Sequence, residues 1–307
     1  MIKKLTLKLK DEGLSEKSIN LYLENLKKLN DKKEFTNLNF LKNKENINEF
    51  LTKYSANTKK NFIASIVRVL KLDKKKYEEL FNYYNELLNN LMKETNENKN
   101  TKNDKENKNW LDFEKVIEIK EELKTKYEEI IKKKKINERD YNDLLKYVIL
   151  SLYTLIPPRR NLDYMEMVVN TNKKDLDKEF NHFVIKDKLF IFNKYKTSKS
   201  YSNQEIEVPN ELYEILINYL KYHPDKTTKI NKPLLVDYND KRLNQINSIT
   251  RILNSIFKKK VGSSMLRKIY ISHKFGDDLE KIKEMQETAQ AMGHSMNTAQ
   301  TTYNKGN

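Results

Sequence analysis

Apolar residues recur every three or four positions over roughly residues 12 to 94, which is the spacing of amphipathic helices. Ser15 is placed to act as the N-cap of the first of these helices. The apolar residues of three runs are Ile19, Tyr22, Leu23, Leu26 and Leu29; Phe62, Ile63, Ile66, Val69 and Leu70; and Tyr77, Leu80, Phe81, Tyr84, Leu87, Leu88 and Leu91. Such faces pack against one another, so this segment predicts a small helical bundle.

The apolar pattern stops over residues 95–109, which contain no apolar side chain. A core cannot form from such a segment, so we expect a polar linker between two domains. The domains would be a helical one at 1–94 and a larger one at 110–307, since Trp110 starts the apolar pattern again.

The second domain is predicted to combine many helices with a few strands. Long helical patterns cover about 112–133 and 138–155, whereas apolar and polar residues alternate over 182–208, as they do in short strands. Pro209 ends the alternation, and a helix with Leu212, Ile215, Leu216 and Tyr219 is predicted after it. Most of 241–303 is again helical in pattern. We therefore predict a mainly α fold with a small antiparallel β-sheet, in the α+β class.

Charge and composition narrow the partners of the 307-residue chain. The formal net charge is +16 and the pI is about 9.4, which favours a polyanionic partner, nucleic acid before an anionic membrane. There are no cysteines, which excludes disulfides and thiolate metal sites. The N-terminus lacks an uninterrupted apolar core, so we expect neither a signal peptide nor a membrane span, and an intracellular protein.

Arginine is scarce in a chain whose basic residues are nearly all lysine. The planar guanidinium grips a phosphate through two parallel hydrogen bonds, which an ammonium group cannot do. A retained arginine is therefore a candidate phosphate ligand, although Arg68 and Arg242 are read as surface charges. The arginines are Arg68, Arg139, Arg159, Arg160, Arg242, Arg251 and Arg267.

Two segments place cations beside predicted element ends. In Pro157–Tyr164 the prolines mark a helix start, which is a ready anion site, and Asp163 is placed to hold an arginine there. In Lys194–Lys199, directly after a predicted strand, a lysine in a tight β-turn can reach into a cleft formed by helices.

Two further segments follow toward the C-terminus. Gly262-Ser263-Ser264-Met265-Leu266-Arg267 opens a helix, and Met292-Gly293-His294 is followed nine residues later by Tyr303. Taken singly, a histidine or a tyrosine carries little information, since the chain has 18 tyrosines. We read His182 and His223 as surface residues and His273 as structural.

Together, the four segments resemble the conserved boxes of the tyrosine recombinase (phage-integrase) family, in the family's order. Arg160-Asn161-Leu162-Asp163 is similar to its Arg-x-x-Glu/Asp box, and the Lys194–Lys199 segment to its β-hairpin lysine. The Ser264–Arg267 segment is similar to the His-x-x-Arg box, and Met292-Gly293-His294 to the Leu-Gly-His box with its tyrosine. Residues 1–94 match the core-binding domain of the family in size and position.

The resemblance implies a role for each matching residue. Arg160 and Arg267 would clamp the scissile phosphate, and His294 would hydrogen-bond a non-bridging oxygen. Lys196 would protonate the leaving 5′ oxygen, and Tyr303 would attack the phosphorus to give a 3′-phosphotyrosine.

Three assignments stay open at this point. Arg160 is preferred to Arg159 because only Arg160 has an acidic residue three positions later. Lys196 is preferred because it precedes Thr197, while Lys194 and Lys199 remain candidates. Ser264 stands where the family usually has histidine; its hydroxyl can donate a hydrogen bond but is not a useful acid or base at neutral pH.

The resemblance further implies double-stranded DNA as the substrate, a homo-tetramer on DNA, and no metal, cofactor, membrane or small-molecule substrate. The Lys- and Asn-rich composition suggests an integrase of a mobile element or virus. One alternative is a type IB topoisomerase, which shares this chemistry but acts as a monomer. Another is a DNA-binding relative that has lost catalysis, with Ser264 as the first sign of decay.

Overall fold

The computed structural model describes residues 1–97, 101–226, 232–243, 245, 247–296 and 300. The chain divides into two compact units, residues 1–103 and 104–307. Among the described residues, no helix is both long and apolar enough to cross a membrane.

The first unit is a helical bundle. Ser15 caps its second helix, as predicted, because its side chain accepts a hydrogen bond from the Ser18 amide at 3.3 Å. The elements are α1 (Ile2–Asp11), α2 (Glu16–Leu29), a 3-10 turn (Asn39–Lys42), α3 (Lys44–Thr52), α4 (Ala56–Lys71) and α5 (Glu78–Glu97).

The core of this unit lies where α4 packs against α2 and α5. The Asn25 amide donates to Ser65 Oγ at 2.9 Å inside this interface, and the Tyr84 hydroxyl donates to the Leu41 carbonyl at 2.8 Å. These buried polar groups therefore have partners, which avoids the cost of burying them unsatisfied. The predicted apolar stripes supply most of the surrounding core.

The predicted linker 95–109 is more ordered than its composition indicates. Helix α5 continues to Glu97, and α6 (Asp104–Asn109) is a second helix in the predicted linker. Asn109 is buried, and its Oδ1 accepts a hydrogen bond from the Lys260 amide at 2.9 Å. Residues 104–109 therefore belong to the second unit, to which this polar segment is attached by a hydrogen bond.

The second unit contains the remaining helices and all the described strands. Two predicted long helices are confirmed as α7 (Phe113–Ile130) and α8 (Glu138–Thr154), and the helix after Pro209 as α11 (Asn210–Tyr222). The other elements are α9 (Asn161–Met165), β1 (Met167–Asn170), β2 (Asn181–Val184), β3 (Leu189–Phe192), α10 (Ser198–Tyr201), β4 (Gln204–Glu207), β5 (Lys232–Pro233), α12 (Ser248–Phe257), α13 (Ser263–Phe275), a 3-10 turn (Gly276–Asp278) and α14 (Leu279–Ala291).

The α+β class is confirmed, but the sheet is mixed, where a purely antiparallel sheet was predicted. The strand order is β4-β3-β2-β1-β5, and the β1–β2 pair is parallel while the other pairs are antiparallel. Strand β1 was not predicted, because Met167-Val168-Val169 is a continuous apolar run without alternation, as is common for a strand buried on both faces.

Helix α8 is the central element of this unit. It packs against α7, α11 and α12, and most of its residues from Tyr141 onward are buried. A helix surrounded by other elements is apolar on nearly all sides, which matches the second half of α8, residues 147–154, while its first half carries the charged residues. The C-terminal end of α8 leads directly into the segment that carries Arg159 and Arg160.

Two histidines that we read as surface residues are fully buried. His182 lies in β2, with its two ring nitrogens 2.8 Å from Asn170 Oδ1 and the Asp177 carbonyl. His223 follows α11; its Nε2 donates to the Pro233 carbonyl at 3.0 Å, and its Nδ1 accepts from the Asp225 amide at 3.1 Å. The hydrogen-bond partners of both histidines lie in other elements or loops, and the sequence alone does not show that these are close.

We expect the stability of the second unit to fall in mild acid because of His223. Burial, followed by the charge of Lys232, lowers the pKa of His223 below its usual 6.5. Below pH 6.5 the His223 side chain of the unfolded chain therefore binds a proton that the same side chain of the folded protein does not bind. Stability is full above pH 6.5 and is lost as pH falls through the folded pKa, by up to about 1.4 kcal/mol per pH unit.

Urea unfolding between pH 7.5 and 5, followed by the fluorescence of Trp110, would measure this loss, since Trp110 is the chain's single tryptophan and packs on the core of this unit. A His223→Gln variant should be less stable at neutral pH but lose less stability on acidification. An equally steep loss in the variant would assign the acid sensitivity to other groups.

Candidate active site

The short helix α9 starts directly after the two adjacent arginines. Arg160 is its N-cap, with an extended backbone (φ −75°, ψ 150°). Asp163 is buried, and its Oδ2 accepts a hydrogen bond from Arg159 Nε at 3.0 Å. The expectation that Asp163 holds Arg160 is therefore wrong, because the acidic residue is paired with the neighbouring arginine.

The two arginines consequently differ in what they can bind. The Arg159 side chain is 14% exposed, and its guanidinium is occupied by protein groups. Arg160 is half-buried, and its guanidinium has no hydrogen bond or ion pair within the described part of the chain. Burial raises the pKa of Asp163, and the charges of Arg159 and then Arg160 oppose that rise. Arg160 is thus the one whose guanidinium is left for an external anion.

Polar contacts join the start of α9 to α8 and to Thr250 of α12, which lies beside the start of α13. The Tyr153 hydroxyl donates to Asn161 Oδ1 at 2.7 Å, and Asn161 Nδ2 donates to Thr250 Oγ1 at 2.8 Å. A methyl group added at Gly262 would lie 3.5 Å from Thr250 Cγ2, so the start of α13 lies against Thr250. Burial raises the pKa of Tyr153, and the neighbouring Ser263 hydroxyl opposes that rise. The segments with Arg160 and with the Ser264–Arg267 box are therefore neighbours.

Helix α13 presents its box residues on one face. Ser264 and Arg267 are three residues apart, Ser264 is exposed and Arg267 is half-buried. The Arg267 guanidinium also has no hydrogen bond or ion pair among the described residues. No side chain caps the N-terminus of α13, where Gly262 is the N-cap residue. Free amides at the start of a long helix add to the attraction that arginines have for an anion.

The other side of α13 is fixed by contacts with the start of the second unit. His273 Nδ1 lies 3.0 Å from Glu114 Oε1, and its ring stacks on Phe113 with centroids 4.7 Å apart. Lys268 pairs with Glu106 of α6. These contacts are what a structural role for His273 requires, and they hold the helix in place while Arg267 faces elsewhere.

Lys196 lies in the connection between β3 and β4, residues 193–203, which contains the helical turn α10. The prediction of a tight β-turn is therefore wrong, although the strands on either side do pair as an antiparallel hairpin. The Tyr195 side chain is buried beneath the connection, and its hydroxyl donates to the Ser202 carbonyl at 2.6 Å. Lys196 itself is exposed and has no ion pair in the part of the chain that is described.

His294 follows a helix end that its preceding glycine makes possible. Gly293 has a φ of +79°, and the Gly293 and His294 amides donate to the carbonyls of Gln290 and Ala289 at 3.0 Å each. This is a Schellman motif, in which only glycine adopts the left-handed conformation without strain. The motif sets the position of His294 after α14. Tyr303 lies outside the described residues.

Sequence patterns do not identify most of the residues that organise this site. Tyr153 and Thr250 lie outside the four segments, and Asn161 and Ser263 are positions within them to which the motifs assign no role. The contact between Asn161 and Thr250 spans 89 residues of sequence, so no local pattern identifies it. One signal was available for Arg159: it is among the few arginines of a lysine-rich chain.

The contacts leave two half-buried arginines, an exposed lysine and a hydroxyl on adjacent segments, a set that can neutralise and orient a phosphate group. Comparison of the chain with protein-family models, with curated proteins and with solved structures finds no match.

Proposed function

We propose that this protein is a DNA strand-exchange enzyme that cleaves and rejoins duplex DNA through a covalent link to Tyr303. The observation that carries the proposal is the hydrogen bond from Asn161 of α9 to Thr250 of α12, which lies against Gly262 at the start of α13, because it makes the segments that carry Arg160 and Arg267 neighbours.

The protein environment of these arginines supports a phosphate ligand. A partly buried guanidinium normally has an acidic partner, because burying a charge without one is costly. Arg160 and Arg267 are partly buried and lack such a partner within the described ranges. A diester phosphate would supply the missing negative charge to both, and their planar forks suit its two non-bridging oxygens.

In the proposed reaction, the Tyr303 oxygen forms a bond to phosphorus as the bond from phosphorus to the 5′ oxygen breaks. Arg160, Arg267 and the hydroxyl of Ser264 stabilise the charge that builds on the non-bridging oxygens, with His294 as a further donor. The tyrosine proton is lost to solvent, and Lys196 gives a proton to the 5′ oxygen. A 5′ hydroxyl of another strand then reverses the step and releases Tyr303.

The proposal extends to partners and place of action. Exchange between two duplexes needs a homo-tetramer of the chain on DNA, with lysines of both units contacting phosphates, so binding would weaken steeply with salt. DNA as the substrate implies that the protein acts inside a cell. A type IB topoisomerase would use the same cleavage step without exchanging partners.

The test is to incubate the protein with labelled nicked duplexes in a chelating buffer, then denature it with SDS. The substrates would include DNA that flanks its own coding sequence and a random-sequence library. We expect an SDS-stable protein–DNA adduct, with the nucleotide attached to the peptide that contains Tyr303. Binding without an adduct on any substrate would overturn the proposal in favour of a DNA-binding protein. Joining of strands from two duplexes would indicate a recombinase, whereas relaxation of supercoils without such joining would indicate a topoisomerase.

A further inference from the structure

The Arg159 side chain connects the start of α9 with the far end of the β3–β4 connection. Its Nε donates to Asp163 Oδ2 at 3.0 Å, and its Nη1 donates to Gln204 Oε1 at 2.9 Å, where β4 begins. The guanidinium carbon lies 3.7 Å from the centre of the Phe192 ring, at the end of β3, and 5.2 Å from that of Tyr195. One planar group thus touches α9, β3 and β4 together.

The near end of the same connection is attached to the same helix by another buried residue. Asn181 is fully buried; its Nδ2 donates to the Asp163 carbonyl at 2.8 Å and to the Lys194 carbonyl at 3.0 Å. Its Oδ1 accepts from the Lys194 amide at 2.8 Å. Both ends of the 193–203 connection are therefore linked to Asp163. Asn181 links Lys194 to the Asp163 carbonyl, and Arg159 links Gln204 to the Asp163 carboxylate.

We propose that Arg159 is a positioning residue, which holds the connection that carries Lys196 against the helix start that carries Arg160. The effect of Arg159 on the reaction rests on the proposed function, in which Lys196 is the proton donor. Arg159 itself would not touch the DNA, because its side chain is 14% exposed and its guanidinium contacts groups of the protein.

The chemistry of the side chain explains why an arginine is needed here. A guanidinium offers donors in two directions in its plane while its faces stack on aromatic rings. A lysine ammonium at this position could pair with Asp163 but could not also reach Gln204 and cover Phe192. Arg159→Lys should therefore keep the charge and lose the attachment of β4.

Hydrogen exchange of the full-length protein tests the attachment without any catalytic assay. In Arg159→Gln we expect the amides of residues 194–203 to exchange about tenfold faster or more, which is the size expected for losing hydrogen bonds to a charged group. The buried amides of α8 should be unchanged. Gln204→Ala removes only the β4 contact and provides a milder variant should Arg159→Gln fold poorly. Arg251→Gln, at an exposed arginine of α12, is the control.

Unchanged exchange in residues 194–203 in both Arg159→Gln and Gln204→Ala would overturn the inference. This readout does not depend on the reaction. A wild-type protein that forms no adduct would therefore remove the proposed function, while the exchange data still decide whether Arg159 orders the connection.

A change of leaving group tests whether the attachment acts through Lys196. A duplex with sulfur in place of the bridging 5′ oxygen releases a thiolate, which needs no proton because a thiol has a pKa of about 8.5. We expect Arg159→Gln and Lys196→Ala to form adduct at least tenfold more slowly than wild type on oxygen DNA and within about threefold of it on sulfur DNA. Arg267→Ala should stay slow on both. Equal losses for Arg159→Gln on the two substrates would mean general damage to the fold and would overturn the positioning role.

Discussion

Replacement of Tyr303 by phenylalanine is expected to abolish the covalent protein–DNA adduct while DNA binding stays within about twofold of wild type. The change removes one oxygen, which is the atom that would attack phosphorus, and leaves the cationic residues in place. Loss of a nucleophile that acts as a unit with its partners costs on the order of a millionfold in rate, which is beyond detection in an adduct assay.

The matched control is Tyr238→Phe, because Tyr238 is another tyrosine of the second unit with an exposed ring. It should form adduct at the wild-type rate. Binding of labelled duplex, measured by fluorescence anisotropy, establishes that both variants still engage DNA. An adduct that persists in Tyr303→Phe would show that a different side chain attacks, and the assignment of the nine-residue spacing after His294 would be wrong.

The helices were predictable because their evidence is local. The apolar stripes of α2, α7, α8 and α11 repeat at the helical period, and a side chain such as Ser15 marks where a helix begins. Strand β4 alternates between half-buried and exposed residues, the period of two that predicts a strand. Strands β2 and β3 are buried at nearly every position and were predicted only as parts of the 182–208 region. Strand β5 has only two residues, which is too short for any period.

The partner of Asp163 could not be read from spacing alone. Side chains three residues apart meet only if both residues are helical, and Arg160 is an N-cap with extended backbone. Arg160 makes no ion pair with Asp163, whereas Arg159, one residue earlier, reaches it. Arg160 thus lacks the contact that its spacing predicts, and this lack leaves its guanidinium available for phosphate.

The nearness of the Arg160 segment to the start of α13 also lies beyond sequence reading. It depends on the hydrogen bond between Asn161 and Thr250, which are 89 residues apart in sequence. Each of these partly buried polar groups needs a hydrogen-bond partner, and only the packed structure shows which residue that partner is.

Arg160→Ala is expected to lower the rate of adduct formation about a hundred- to a thousandfold, because it removes a charged donor from the transition state of phosphoryl transfer. The fold should be unaffected, since the Arg160 guanidinium makes no contact to lose within the described part of the chain. Arg160→Lys should recover only part of the rate, as an ammonium retains the charge without the fork. Single-turnover assays on a nicked duplex would measure the three rates.

The control for this change is Arg139→Ala, at an exposed arginine of α8 that likewise has no partner among the described residues. Both variants lose one positive charge, so a difference between them reports the site and not the net charge. The leaving group separates Arg160 from Arg159: sulfur DNA should rescue Arg159→Gln, which acts through proton donation, but not Arg160→Ala, which acts on the non-bridging oxygens. A full rescue of Arg160→Ala by sulfur DNA would show that Arg160 acts through proton donation and not on the non-bridging oxygens. A wild-type rate for Arg160→Ala on oxygen DNA would show that Arg160 is not part of the phosphate site.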